Sequence, residues 1–174
     1  MKKINNLTEK YSKENIIIHW FTAVLILILF PLGKYMETIP TKDKMNLIIV
    51  HIILGGIVFF LTLFRSYLFF TTSRPKDLIT GSKFNDKLAI WIHNSFYFLL
   101  IGISIAGILT MFYGGYINAI KSEAPTLILK KDNITALKAH SVLAVIMIFL
   151  LMLHVLGVIK HYFLTKENTL KRIS

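Results

Sequence analysis

Residues 138–154 read KAHSVLAVIMIFLLMLH, an apolar stretch with one histidine near its start, His140, and another at its end, His154. Fourteen helical steps of 100° bring these two residues to within about 40° of each other on one helix face, and a rise of 1.5 Å per residue separates them by about 21 Å along the axis. A single helix would therefore present two imidazoles to the same interior at two depths. This separation excludes one shared zinc ion, because all zinc ligands lie about 2 Å from the metal.

Four apolar stretches of this kind organise the chain, each near or above the ~20 residues that cross a hydrocarbon core. They cover about residues 16–33, 45–70, 88–113 and 134–164, and short polar connections with proline or glycine separate them. We therefore predict an all-α, integral membrane four-helix bundle with up-down-up-down topology, forming a single domain over residues 1–174. No small-residue cleavage pattern follows the first stretch, so we expect it to remain in the mature protein.

The composition favours a membrane protein over other classes. Of the 174 residues, 55% are hydrophobic, and the formal net charge is +11. Apolar spans joined by basic segments produce this combination, whereas a nucleic-acid-binding domain carries its positive charge on a polar surface. The sequence has no cysteine, which excludes disulfides, iron–sulfur clusters, thiolate-ligated haem and covalently attached c-type haem.

Basic residues are distributed unevenly between the two sides of the predicted bundle. Thirteen of the 20 Lys and Arg residues fall on the side of the two termini, and seven fall on the other side. The positive-inside rule then places both termini in the cytoplasm.

All six histidines fall within or at the ends of the apolar stretches: His19, His51, His93, His140, His154 and His161. Ionisable residues at such depths are rare, and a functional role is the default interpretation, with a helix–helix hydrogen bond as the alternative. The helix directions pair His19 with His154 toward the termini and His51 with His140 toward the opposite side. Each pair offers two axial imidazoles from different helices, which predicts two haems with no open iron position, suited to electron transfer.

Small and basic residues near these histidines fit the same hypothesis. Arg65, 14 residues after His51, lies on the same helix face at the depth of the other pair, where it would meet a haem propionate or extend to the basic interface. Glycines leave room for a flat porphyrin, although they also permit close helix packing. The glycines concerned are Gly55, Gly56, Gly102, Gly107 and Gly157.

The segments around these histidines are distinctive: Ile17-Ile18-His19-Trp20, Asn46 to His51, and Lys138-Ala139-His140 with His154 after it. They closely resemble the bacterial cytochrome b561 family. The tail is similar to that of the superoxide oxidase branch, through His161-Tyr162-Phe163, Asn168-Thr169-Leu170 and Arg172. The resemblance covers about residues 10–172. It implies a multi-pass protein of the bacterial inner membrane with two non-covalent haems b, whose iron is held by His19, His51, His140 and His154.

The superoxide oxidase branch further implies that superoxide on the periplasmic side gives electrons and that ubiquinone accepts them. Near the cytoplasmic side, His161, Lys87 and His93 are then candidates for the quinone site, and Trp20 at the same depth is either a further candidate or an interfacial anchor. Lysines near the outer end of the fourth stretch would attract an anion. They are Lys130, Lys131 and Lys138.

Two positions depart from the branch pattern, and two other function classes stay open. Ala89 stands where a polar residue, often histidine, is expected, and Lys160 stands where a second histidine is typical. The chain could instead be an electron-transfer subunit that docks a partner redox enzyme and exchanges electrons with the quinone pool. It could also be a transporter or structural bundle whose histidines bind protons or a metal.

Overall fold

The computed structural model describes residues 10–72, 75, 82–165 and 168–173, and over these ranges it is helical with no strand. Within these ranges, four helices are long and apolar enough to cross a membrane. They are α1 (Lys13–Thr38), α2 (Met45–Thr71), α3 (Lys83–Tyr113) and α5 (Thr135–Thr165), with the short α4 (Tyr116–Lys121) between the last two. The prediction of an all-α bundle with four spans is confirmed.

Local sequence signals set the limits of α1. Ser12 precedes the helix, and its hydroxyl accepts a hydrogen bond from the backbone N–H of Asn15 at 3.4 Å, which satisfies a donor that the first turn leaves unpaired. The helix ends at Thr38 because Ile39 precedes Pro40 and is extended, as residues before proline usually are.

The outward faces of the long helices are strongly apolar. Phe60, Phe70 and Phe98 are 70%, 83% and 78% exposed. A water-soluble domain would bury side chains of this size, whereas lipid tails are as apolar as these side chains themselves. The outward faces therefore contact the lipid bilayer.

The helices do not pack equally on one another. Helix α3 packs closely against α5, α1 packs against α2, and α2 packs against α3. By contrast, the described backbone of α5 makes at most marginal contact with α1 and α2. Side chains rather than backbones must therefore bridge α5 to the first two helices.

Hydroxyl groups inside the spans are mostly satisfied by their own helix. Thr62, Ser104 and Thr110 each donate to the backbone carbonyl four residues earlier, at 2.8 Å, as a hydroxyl surrounded by lipid or apolar side chains requires. Thr22 differs from these residues because its hydroxyl is not satisfied in the described part of the chain. It lies one turn after His19, is 2% exposed, and its Oγ1 has no hydrogen-bond partner there.

The connection between α3 and α5 is packed against the end of the bundle. Gly115 has φ = 78°, and a Cβ at this position would collide with the carbonyl oxygen of Leu127, so only glycine fits. The backbone N–H of Leu129 donates to Gly114 at 3.1 Å, and Ala119 of α4 is fully buried. This connection therefore covers part of the end of the bundle.

Candidate haem sites

Interior side chains of the four long helices lie in three layers. On α2, α3 and α5, the residues that contribute to successive layers are seven positions apart, and this spacing returns a side chain to nearly the same helix face. The middle layer is the apolar core of Leu25, Val58, Leu100 and Met147. The loop-end layer, toward the start of α2 and of α5, contains Gly33, His51, Gly107 and His140. The terminal-end layer, toward the start of α1 and the end of α5, contains His19, Arg65, His93 and His154. An apolar layer thus separates two histidine clusters.

In the loop-end layer, two imidazoles from different helices lie next to each other. The ring centroids of His51 and His140 are 6.0 Å apart, and the ring planes are inclined by 68°. Two imidazoles on opposite sides of one metal atom, each bound through a nitrogen about 2 Å away, would have centroids roughly 6 Å apart. The separation therefore fits a metal atom held between them.

The polar atoms of these two rings fit the same role. The Nδ1 atom of His140 lies 2.9 Å from the carbonyl oxygen of Ile103. A carbonyl can only accept, so Nδ1–H donates and Nε2 keeps the lone pair that a metal needs. The Nδ1 atom of His51 is buried with no hydrogen-bond partner among the described residues, a condition that costs about 1–3 kcal/mol. The separation of the two rings and the lone pair that His140 keeps on Nε2 are the features that fit haem.

Two glycines lie against these rings. A Cβ on Gly33 would be 3.5 Å from Cε1 of His51, and a Cβ on Gly107 would be 3.3 Å from Cε1 and Nδ1 of His140. Sequence reasoning missed Gly33, although it stands 14 residues after His19, the spacing that also separates His51 from Arg65. Glycine at both positions lets an imidazole lie directly on a neighbouring helix.

The other predicted glycines divide into two groups. A Cβ on Gly55, Gly56 or Gly157 would meet nothing within 4 Å, so close helix packing does not explain them. A Cβ on Gly102 would meet Cδ1 of Leu143 at 3.6 Å, which is an ordinary packing contact. Gly55 and Gly56 thus remain compatible with the predicted room for a porphyrin beside α2.

In the terminal-end layer, α3 supplies the rings that pack on His154. The ring of His93 lies 4.9 Å from it at 88°, and the ring of Phe96 lies 5.6 Å from it at 85°. The side chains of His19 and Arg65 lie near enough to His154 for charges on these groups to interact. The structure therefore places His19 in the same layer as His154, and it adds His93 and Phe96 as direct neighbours of His154. The pairing of His19 with His154 on one iron stays a prediction.

Arg65 is half-buried in this layer and lies over an aromatic ring. Its guanidinium carbon is 5.5 Å from the ring centroid of Tyr97. Within the described ranges it forms no ion pair with a carboxylate. A cation in this position is suited to an anionic group of a bound cofactor.

The three residues predicted for a quinone site lie in different surroundings. Lys87 is exposed near the start of α3, and His161 is half-buried two turns after His154 on α5. The Nδ1 atom of His93 lies 2.7 Å from the carbonyl oxygen of Ala89, to which it donates. Of the three, the described contacts place only His93 against His154.

The C-terminal tail returns to the start of α1, a contact that sequence reasoning did not predict. The indole N–H of Trp20 donates to the carbonyl of Ile173 at 2.9 Å, and the indole lies edge-on to His19 at 5.5 Å. The backbone N–H of Tyr11 donates to the carbonyl of Arg172 at 3.1 Å, and the buried Arg172 guanidinium lies over the Tyr11 ring. The tail is thus fixed beside the terminal-end layer.

The lysines predicted to attract an anion lie at the loop end. Lys130, Lys131 and Lys138 are all exposed. Lys131 lies 3.2 Å from the carboxylate of Glu37, which also pairs with Lys34 at 2.8 Å. The charge of Lys131 is therefore partly compensated.

The comparison with known families agrees with this geometry. The family model described as prokaryotic cytochrome b561 matches residues 10–174, a range that includes all six histidines and the four long helices. Members of this family are membrane proteins that carry b-type haem for electron transfer. The chain therefore belongs to the prokaryotic cytochrome b561 family and is a multi-pass, b-type haem electron-transfer protein of the membrane.

Proposed function

We propose that the chain holds two haems b, one between His51 and His140 and one between His19 and His154, and that it transfers electrons between superoxide and ubiquinone across the bacterial inner membrane. The proposal of two haems is supported by the layered interior, in which an apolar layer separates two histidine clusters. With both termini in the cytoplasm, the loop-end layer faces the periplasm.

The residues present would hold the haems as follows. Haem would supply a carrier of one electron at a time, and its ligation by two imidazoles would leave no open position for oxygen. His140 is oriented by its hydrogen bond to Ile103. Arg65 would balance the charge of a propionate on the terminal-end haem. The middle layer excludes water between the two sites.

The superoxide oxidase reaction is supported by the resemblance of the tail and by the charge at the loop end. Two superoxide anions each lose one electron and become dioxygen, while one ubiquinone gains two electrons and two protons and becomes ubiquinol. The exposed Lys130 and Lys138 raise the local concentration of an anion at the loop end. The reaction needs no other oxidant or reductant.

On the cytoplasmic side, His161, Lys87 and His93 are the groups that we assign to the quinone. An imidazole can donate a hydrogen bond or a proton to a quinone carbonyl, and His161 lies two turns beyond His154, toward the end of α5. The exposed Lys87 provides a positive charge in the same region. Protons for ubiquinol would then come from the cytoplasm.

A second candidate is a b-type electron-transfer subunit that passes electrons between a partner redox enzyme and the quinone pool. Leu127 and Leu129 favour it, because they are 45% and 49% exposed in the connection before α5, outside the four spans. Exposed leucines outside the spans offer an apolar surface that a partner protein would cover.

The test begins with a dithionite-reduced minus oxidised spectrum of the detergent-purified protein and a pyridine haemochrome assay. We expect a b-type α band and two haems per chain; one haem or none contradicts the two-site proposal. An enzymatic source of superoxide is then added with ubiquinone. Rapid haem reduction and ubiquinol formation, both abolished by superoxide dismutase, support the superoxide reaction. Haems that superoxide leaves oxidised, but that a co-purified enzyme reduces, favour the second candidate.

A further inference from the structure

Helix α3 contains none of the proposed iron ligands, yet it contacts both imidazoles of α5. We propose that α3 fixes the ring planes of His140 and His154 by two different devices, and thereby sets the electronic properties of each haem separately. The inference rests on the proposed haem ligation and adds Gly107 and Phe96 as positioning residues. Close packing of α3 on α5 provides the rigid base that such a role requires.

At the loop end, α3 holds His140 by its backbone. The carbonyl of Ile103 accepts from Nδ1 at 2.9 Å, which anchors one edge of the ring. One hydrogen bond alone would let the ring pivot about that edge. Gly107, one turn further along α3, decides where the ring can lie, because a Cβ there would be 3.3 Å from two ring atoms and would push the ring aside.

At the terminal end, α3 holds His154 by ring packing. His93 and Phe96 are three residues apart, so they share one face of α3. Their rings meet the His154 ring at 88° and 85°, with centroids 4.9 Å and 5.6 Å away. These separations are typical of favourable edge-to-face contacts. Two ring contacts from one rigid helix restrict rotation of the imidazole about its Cβ–Cγ bond.

The orientation of an axial imidazole affects the haem as well as the fold. The angle between the two imidazole planes determines the largest g value of a low-spin ferric haem, and contacts around a metal-binding histidine also tune its basicity. Disturbing one of the α3 contacts should therefore change one haem and leave the other unchanged.

The test is electron paramagnetic resonance of the oxidised, haem-loaded protein, which should show one low-spin signal for each haem. Gly107→Ala should shift one signal, because the His140 ring must move by a few tenths of an ångström. Gly102→Ala is the matched control in the same helix, since its Cβ meets only Leu143 at an ordinary 3.6 Å. Phe96→Leu should shift the other signal, and Phe98→Leu, at a 78% exposed position, should shift neither.

Haem content separates the possible failures. A wild-type protein without two haems refutes the proposed ligation, whereas two haems with unshifted signals in Gly107→Ala and Phe96→Leu refute the positioning role alone. If both variants shift the same signal, the assignment of α3 contacts to separate haems is wrong. If Phe96→Leu loses haem, Phe96→Tyr should restore both the haem and the wild-type signal, because it keeps the ring; failure to do so overturns the role of Phe96.

Discussion

Replacing Trp20 with phenylalanine should loosen the C-terminal tail without removing haem. The indole N–H is the donor in the hydrogen bond to the Ile173 carbonyl, which joins residues 153 positions apart in the sequence. Phenylalanine keeps an aromatic ring beside His19 but has no N–H group. The substitution therefore isolates the hydrogen bond from the ring packing.

The size of the effect follows from the surroundings of this bond. A hydrogen bond of this kind contributes about 0.5–1.5 kcal/mol net, and Trp20 is 47% exposed, so water can partly replace the lost partner. A loss of about 1 kcal/mol increases the open population of the tail about fivefold. The remaining bond from Tyr11 to Arg172 keeps the tail attached for most of the time.

Hydrogen exchange followed by mass spectrometry measures this opening. Peptides that cover Tyr11 and residues 168–173 should exchange about fivefold faster in Trp20→Phe, in proportion to the open population. The control is Trp91→Phe, because Trp91 is 62% exposed and makes no hydrogen bond within the described ranges. Unchanged exchange in Trp20→Phe, or an equal increase in both variants, would refute the contribution of the indole.

Three further predictions concern the proposed haem and quinone residues. His140→Ala should halve the haem content measured by pyridine haemochrome, because the loop-end haem loses a ligand while the terminal-end haem keeps both; loss of both haems or of neither would contradict separate sites. His161→Ala should slow ubiquinone reduction by about 10²-fold or more with an unchanged haem spectrum, as removal of a proton donor does; unchanged quinone kinetics would remove His161 from the site. Arg65→Leu should lower the midpoint potential of the terminal-end haem, because a nearby cation stabilises the more negative ferrous state; a redox titration showing an unchanged or raised potential would contradict its placement.

Much of the fold could be predicted from the sequence because the controlling forces are local and regular. Each span is apolar over the thickness of a bilayer, and the helical rise converts residue numbers into depths. The same counting places His51 with His140 and His19 with His154, and the structure brings these residues into two layers. The identity of these residues as iron ligands stays a prediction.

The contacts that fix each ring could not be predicted in this way. Every residue has a backbone carbonyl, so nothing in the sequence marks Ile103 as the partner of His140. Phe96 is one of 13 phenylalanines, and only the rotation of α3 about its axis shows that it faces His154 rather than lipid. The tail contact forms because the C-terminal residues fold back onto the start of α1, and helical periodicity does not predict contacts between such distant segments.

The uneven packing of the helices predicts how the protein should respond to haem removal. Helices α3 and α5 are in close backbone contact, whereas α5 has only marginal backbone contact with α1 and α2 and meets them through interior side chains, to which the proposed haems would add further links. A ligand that binds only the folded state stabilises it, by about 4 kcal/mol at a concentration 1,000 times its dissociation constant. Protein produced under haem limitation should therefore lose hydrogen-exchange protection mainly in α1 and α2, while α3 and α5 keep theirs. Equal loss in all four helices would mean that direct packing, and not haem, holds the first two helices to α5.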